Sequence, residues 1–316
     1  MTRCFHLLLP LLLVPSLAWA ADWVAALPGG GQLSIVEGKG YRLERQGADG
    51  RPDASFGSGG SMPFTLGPDN DAPAVLRVDA QGRAWVAGAT EAGGTLRPVI
   101  LRWTAAGQPD RGFGAAGRSQ AVPAGREARA NELLPLDDGG AWVAGVVIDA
   151  QGDERSGLWR LRADGQLDSS VFLAGLWSDT GRNSEPADLA RAPDGHFALA
   201  LRRAEGARTV LETWTWRDGG TPQRTSASAL TGHEPDDLRL QWQAGRWHWG
   251  SPAAEAAPAP PAAATEQAPA AAVSPFATPT AATPAAAPAD VDAALGWWLL
   301  LPLAALAAWW WRRRAS

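Results

Sequence analysis

Gly139-Gly140-Ala141-Trp142-Val143-Ala144-Gly145, followed by Trp159-Arg160-Leu161-Arg162-Ala163-Asp164-Gly165-Gln166-Leu167-Asp168, is the stretch that decides the fold. Its apolar runs are four to eight residues long and sit between Gly and Asp turn formers, the signature of strands rather than of a helix. The same pair comes round again. Gly82-Arg83-Ala84-Trp85-Val86-Ala87-Gly88 leads to Leu101-Arg102-Trp103 and then Asp110-Arg111-Gly112-Phe113-Gly114, and Tyr41-Arg42-Leu43 leads to Asp53-Ala54-Ser55-Phe56-Gly57. Weaker strand-turn elements start at Gly31, Gly195 and Gly245, so the period is 50 to 58 residues between about residue 23 and residue 250.

Each repeat reads as four strands. In the third they are expected at 130–136, 141–148 and 157–162, with a short outer strand after Val171. One such unit cannot bury its own apolar face, so units must stack or close into a ring, which also shortens exposed sheet edges. The repeat resembles the delta-60 repeat family, whose units pair a Gly-x-x-x-Val-Ala-Gly strand with an Arg-Leu-x-x-Asp-Gly-x-Leu-Asp-x-x-Phe-Gly segment. Arg160 to Asp168 follows that second half almost throughout, and the stretch from Asp168 to Phe172 carries one extra residue before the aromatic. The resemblance covers roughly residues 23–200 and implies a β-propeller-like architecture, with little said about activity. The expected fold is therefore all-β, a propeller-like domain over residues 21–250 with four or five blades.

The ends set the address. Residues 1–20 carry Arg3, an apolar run over 7–17 and a closing Ala18-Trp19-Ala20, the pattern of a cleaved export signal. The sole cysteine, Cys4, lies within it and precedes the apolar run, which disfavours a lipoprotein and leaves the mature chain without thiol chemistry. Residues 293–311 form an apolar stretch reaching about 28 Å as a helix, enough to cross a bilayer core. Trp297-Trp298 and Trp309-Trp310-Trp311 mark its interfacial levels, and Arg312-Arg313-Arg314 place the tail at 312–316 in the cytoplasm. This end resembles carboxy-terminal sorting signals of Gram-negative bacteria. It lacks their paired glycines or Pro-Glu-Pro, so a permanent inner-membrane anchor is expected, with a processed or surface form as the alternative. Residues 251–292, mostly Ala and Pro, read as a disordered tether with an extended reach on the order of 130 Å. The domain is thus expected to face the periplasm.

Composition excludes several classes. The chain has 28 basic and 33 acidic residues, one of them a lysine, Lys39, and residues 21–250 carry about −5. That balance offers no cationic stripe for nucleic acid. His196, His233 and His248 lack zinc spacing, and no G-x-S-x-G elbow or phosphate-binding Gly-Lys loop occurs. Gly57-Ser58-Gly59-Gly60-Ser61 reads as a flexible turn. Asp49, Asp53, Asp110, Asp164 and Asp168 read as turn caps, because a carboxylate there accepts the N–H two residues on. Calcium binding by these aspartates stays open, although Asp164 to Asp168 supplies only two carboxylates. Neither a catalytic set nor a cofactor or metal set is expected.

The tryptophans remain. Trp85 and Trp142 occupy equivalent places and are expected to pack blade on blade. Trp242, Trp247 and Trp249 crowd into the atypical last unit, and alternation puts Trp247 and Trp249 on one face with His248 opposite. They read as a capping hairpin or as a candidate ligand or partner surface. The expected function is a membrane-tethered scaffold or interaction module binding another envelope or membrane protein. A glycan-binding module, or a glycoside hydrolase or lyase using acids from the blade loops, is the alternative.

Overall fold

Each of the first four repeats closes into one small antiparallel sheet. A computed structural model describes residues 21–122, 127–149, 151–206, 208–230 and 238–250, whose regular structure is β apart from short 3₁₀ turns at Ala21–Trp23 and Leu173–Gly175. The expected segments at 1–20, 251–292, 293–311 and 312–316 lie outside the described residues. Among the described residues no helix is long and apolar enough to cross a membrane.

Sheet 1 holds β1 (Val24–Ala26), β2 (Gln32–Glu37), β3 (Tyr41–Gln46) and β4 (Ser61–Phe64). Sheet 2 holds β5 (Asp69–Val78), β6 (Ala84–Ala92), β7 (Thr95–Trp103) and β8 (Arg118–Ser119). Sheet 3 holds β9 (Glu127–Pro135), β10 (Ala141–Ile148), β11 (Glu154–Leu161) and β12 (Trp177–Ser178). Sheet 4 holds β13 (Ser184–Arg191), β14 (Phe197–Glu205), β15 (Arg208–Trp216) and β16 (Gln223–Ala229), and sheet 5 the hairpin β17 (Arg239–Gln243) and β18 (Arg246–Gly250). All pairings are antiparallel and follow chain order. The expected strand 141–148 is β10 itself. The outer strand β12 starts later than expected, because Phe172 and Ala174, both at φ 56°, turn the chain through the 3₁₀ element before it can pair.

The first strands of successive sheets are neighbours, β1 beside β5, β5 beside β9, β9 beside β13 and β13 beside β17. The second strand of the middle sheets is buried on both faces, which is why β6 and β10 read as continuous apolar runs rather than as alternation. A separate apolar cluster fills each junction between consecutive sheets. Leu33, Leu43 and Phe56 of sheet 1 meet Val86, Leu101 and Trp103 of sheet 2. Trp85, Ile100 and Phe113 of sheet 2 meet Leu133, Val143 and Trp159 of sheet 3. Trp142 and Leu158 meet Phe197, Leu199 and Trp216 of sheet 4. At the last junction the buried apolar cluster among the described residues is small, made of Ala187, Ala198, Ala200 and Leu240. Trp85 and Trp142 therefore pack sheet on sheet as expected, at 0% and 1% exposure.

The second half of the repeat motif clasps one sheet to the next. Asp53, Asp110 and Asp168 donate their backbone N–H to Arg45, Arg102 and Arg160 at 2.9, 3.0 and 2.8 Å. Their carboxylates cap the N–H two residues on, at 3.0 Å to Ser55, 2.9 Å to Gly112 and 3.1 Å to Ser170, and Asp49 and Asp164 do the same for Arg51 and Gln166, each at 3.0 Å. The Phe-Gly pair that follows crosses the junction. Gly57 N–H reaches the Ala106 carbonyl at 3.1 Å and Gly114 N–H reaches that of Asp164 at 2.8 Å. Phe56 and Phe113 lie so close to the turn glycines Gly107 and Gly165 that a Cβ on either would sit 3.0 Å from the ring. Gly57 to Ser61, expected to be flexible, is instead pinned by Gly60 N–H to Phe56 O at 2.9 Å and Ser58 N–H to Ser61 O at 2.8 Å.

Candidate functional site

The aromatic hairpin is shaped by its turn. Ala244 at φ 48° and Gly245 at φ 77° form a two-residue connection of the type I′ kind, whose twist matches antiparallel strands. Gln243 and Arg246 are then the hydrogen-bonded pair that closes the loop, and Trp242 opposite Trp247 is the next, non-hydrogen-bonded pair, where side chains approach most closely. The two indoles meet edge to face at 5.1 Å and 65°. Trp247 and Trp249 share the face that rests on Ala187, Ala198 and Ala200, small residues that leave room for the rings, while His248 is exposed on the other face. The hairpin thus caps sheet 4.

Trp249 is drawn into that packing, its indole N–H reaching Thr213 Oγ1 at 3.2 Å. Trp242 and Trp247 instead line a groove of about 420 Å³, together with Arg246, His196 and the hydroxyls of Thr213, Thr215, Thr225 and Ser226. The expected three-tryptophan surface therefore divides into two lining residues and one packing residue. The indole N–H of Trp247 is buried without a partner among the described residues. Four other indoles, those of Trp23, Trp142, Trp159 and Trp216, have the same unpartnered N–H, so it reflects packing rather than a ligand contact. His196 has both ring nitrogens engaged, Nδ1 at 2.9 Å from Asp194 and Nε2 accepting from Arg217 Nε at 2.9 Å. That places its proton on Nδ1 and fixes the ring as one wall of the groove.

Sequence inspection missed the hydroxyl wall, because Thr213 and Thr215 look like ordinary strand residues. The signal lay in register: Thr213 stands where sheets 2 and 3 carry Ile100 and Leu158, both fully buried. It also missed a charged cluster where the first strands meet. Arg239 Nη2 holds both carboxylate oxygens of Asp22 at 2.6 Å, Arg77 Nη2 holds Glu132 at 2.9 Å, and Arg77 Nη1 lies 3.9 Å from Asp22. Asp188 accepts from Leu240 N–H at 2.6 Å and Leu189 N–H at 2.8 Å. Each of the five sheets, counting the turn before β1, contributes one charge, at intervals of 51 to 56 residues, and that spacing was visible in the sequence. Burial pushes the Glu132 carboxyl up to about 8, against the pull of Arg77 and with help from Asp188 and Asp22. Burial raises Asp188 as well.

A wider cleft of about 780 Å³ runs past Asp179, Arg182, Arg203, Glu205 and Arg224. Most of its charges are paired: Arg203 lies 2.5 Å from Asp179 and 2.9 Å from Glu212, Arg224 holds Glu212 at 2.9 Å, and Arg182 lies 3.1 Å from Asp153. Among the described residues no three His, Cys, Asp or Glu side chains converge to hold a metal ion. The chain matches no protein-family model and no curated protein.

Proposed function

We propose that residues 21–250 are a propeller-like ring of five units related to the delta-60 repeats, serving as a membrane-tethered, periplasm-facing module that binds another envelope protein through the groove beside Trp242 and Trp247. The observation that carries the binding reading is this groove, where two indoles face four hydroxyls. Ring closure is supported by Asp22 and Arg239, which join the two ends of the domain. The buried charges support a scaffold over a catalyst, since Arg77, Glu132, Asp188 and Arg239 bind one another or the backbone between sheets. Export through residues 1–20, the tether at 251–292 and the anchor at 293–311 belong to the same proposal.

A photo-crosslinking residue at Thr225 or Trp242 in living cells tests it. One reproducible envelope protein is expected, with capture reduced by Trp247→Ala. No capture at either position, together with turnover of a purified glycan, would reverse the reading in favour of a glycan-active enzyme. Protease treatment of spheroplasts tests the topology: the domain should be lost and a small membrane-held fragment retained.

A further inference from the structure

Among the described residues β18 has a strand neighbour on one side only. In sheets 1 to 4 the second strand, β2, β6, β10 or β14, is paired on both sides. The loop-closing pair Gln243–Arg246 uses its N–H and carbonyl groups within the hairpin, as does Gln241–His248 two residues on, so the N–H groups of Trp247 and Trp249 point toward the unpaired edge. The groove lies beyond that edge, over Thr213 and Thr215 of β15 and Thr225 and Ser226 of β16. It occupies the place where the third strand of sheets 2 to 4 lies on the preceding sheet.

The repeat shows what such a strand looks like. β7, β11 and β15 end in Leu101-Arg102-Trp103, Trp159-Arg160-Leu161 and Trp214-Thr215-Trp216. The first and third residues of each triplet turn onto the preceding sheet. Leu101 and Trp103 pack with sheet 1, Trp159 and Leu161 with sheet 2, and Trp216 and Trp214 meet Trp142 and Trp177 of sheet 3 at 5.6 and 5.0 Å. The chain that follows β18 reads Ser251-Pro252-Ala253-Ala254-Glu255-Ala256-Ala257-Pro258. Its alanines have poor strand propensity and cannot fill a groove of this size, and its prolines lack the N–H a strand needs.

We propose that the partner binds by strand addition. An extended segment of the partner protein, with two large apolar side chains two residues apart, pairs antiparallel with β18 and sets those side chains into the groove against Trp242 and Trp247. This rests on the binding reading above and names its chemistry. Main-chain bonds to the edge supply affinity, and the two apolar residues supply selectivity. The hydroxyls of Thr215, Thr225 and Ser226 answer the polar atoms of the strand.

The probe is a fluorescein-labelled peptide copying β11, Glu154–Leu161, titrated into the full-length protein in detergent and followed by anisotropy. Two further versions carry N-methyl groups on one or the other set of alternate residues. Strand addition predicts that one methylated set loses at least about tenfold in affinity, while the other stays within about twofold of the parent. Replacing the peptide residues that copy Trp159 and Leu161 by alanine should weaken binding by a similar factor. Equal binding of both methylated sets, or no binding of the parent peptide, overturns strand addition. So does binding that appears only after residues 251–258 are replaced by a Gly-Ser stretch, which would assign the edge to the chain itself. Peptide binding fails or succeeds independently of cellular crosslinking at Thr225, so an envelope partner captured there with indifferent N-methyl isomers would leave the binding reading standing and remove only its mode.

Discussion

The junction between sheets 2 and 3 and the junction between sheets 4 and 5 are made from the same repeat, and they use it for opposite ends. At the first, Trp85 and Phe113 meet edge to face at 5.2 Å, Arg102 lies 4.4 Å above the Phe113 ring, and the Gly114 clasp draws the two sheets together. At the second, alanines replace the large residues, a two-stranded hairpin stands in for a sheet, and a groove is left beside it. A repeat protein gains rigidity where its units agree. It gains a surface with distinct chemistry where one unit departs from the pattern.

The largest expected contrast is between two tryptophans. Trp85→Ala should destabilise the protein by about 3–5 kcal/mol in urea unfolding, because it empties a fully buried site and removes the indole N–H from Asp79. Trp247→Ala, at a half-buried ring, should cost about 1 kcal/mol while reducing partner capture. Similar stability losses for the two would show the hairpin to be packed as firmly as the central junction.

Two glycines sharpen it. Gly114→Ala forces a side chain into a left-handed position at φ 53° with the Arg118 carbonyl only 1.9 Å from the new Cβ, so a loss of about 2–3 kcal/mol is expected. Gly245→Ala, also left-handed but with nothing within 4 Å, should cost about 1 kcal/mol. Thermal unfolding of both variants decides the matter.

The charged cluster joins the two regions and makes a pH prediction. A Glu132 carboxyl raised from 4.5 to about 8 binds its proton more tightly in the folded state than in the unfolded one. Its contribution is therefore fully present below about pH 4.5 and lost as pH rises toward 8, and Asp188 acts in the same sense. Glu132→Gln should flatten the decline in urea midpoint across that window and raise the midpoint at pH 8. If Arg77 instead keeps Glu132 ionised throughout, the wild type will show no such decline and the glutamine variant will be weaker at every pH.

The smallest effect belongs to the exposed turn caps. The backbone N–H of Gln166 holds the Asp164 carboxyl below its usual range, so this contribution is present at neutral pH and fades as pH falls below the carboxylate range. Asp164→Asn should lower the melting temperature slightly at pH 7 and not measurably at pH 2.

Much of the regular region was legible from residue types alone. The Asp138-Gly139 turn opens β10, and the Asp164-Gly165 turn announces its own hydrogen bonds, because both are local statements about backbone shape. The groove was not legible in that way. Trp242 and Trp247 were conspicuous, but the hydroxyl wall depends on which strand of sheet 4 the hairpin leaves uncovered, a fact of stacking rather than of sequence. The cluster of Asp22, Arg77, Glu132, Asp188 and Arg239 was hidden for another reason. Each charge taken singly resembles a solvated strand residue, and only the repeat period brings the five together.

The side-chain bond between Asp22 and Arg239 spans 217 residues, whereas the strand pairings within each sheet are between strands adjacent in the chain. Closing a loop of that length carries an entropy penalty on the order of 5 kcal/mol, beyond what any single hairpin must overcome. The order of assembly follows. The sheets condense locally and early, each on its predecessor, and the two ends find each other last. Stopped-flow refolding should therefore show a late phase that Arg239→Leu slows or removes while the earlier phases persist. In kinetic terms the expectation is a row of units, each folding on its predecessor, whose two ends meet in one final encounter.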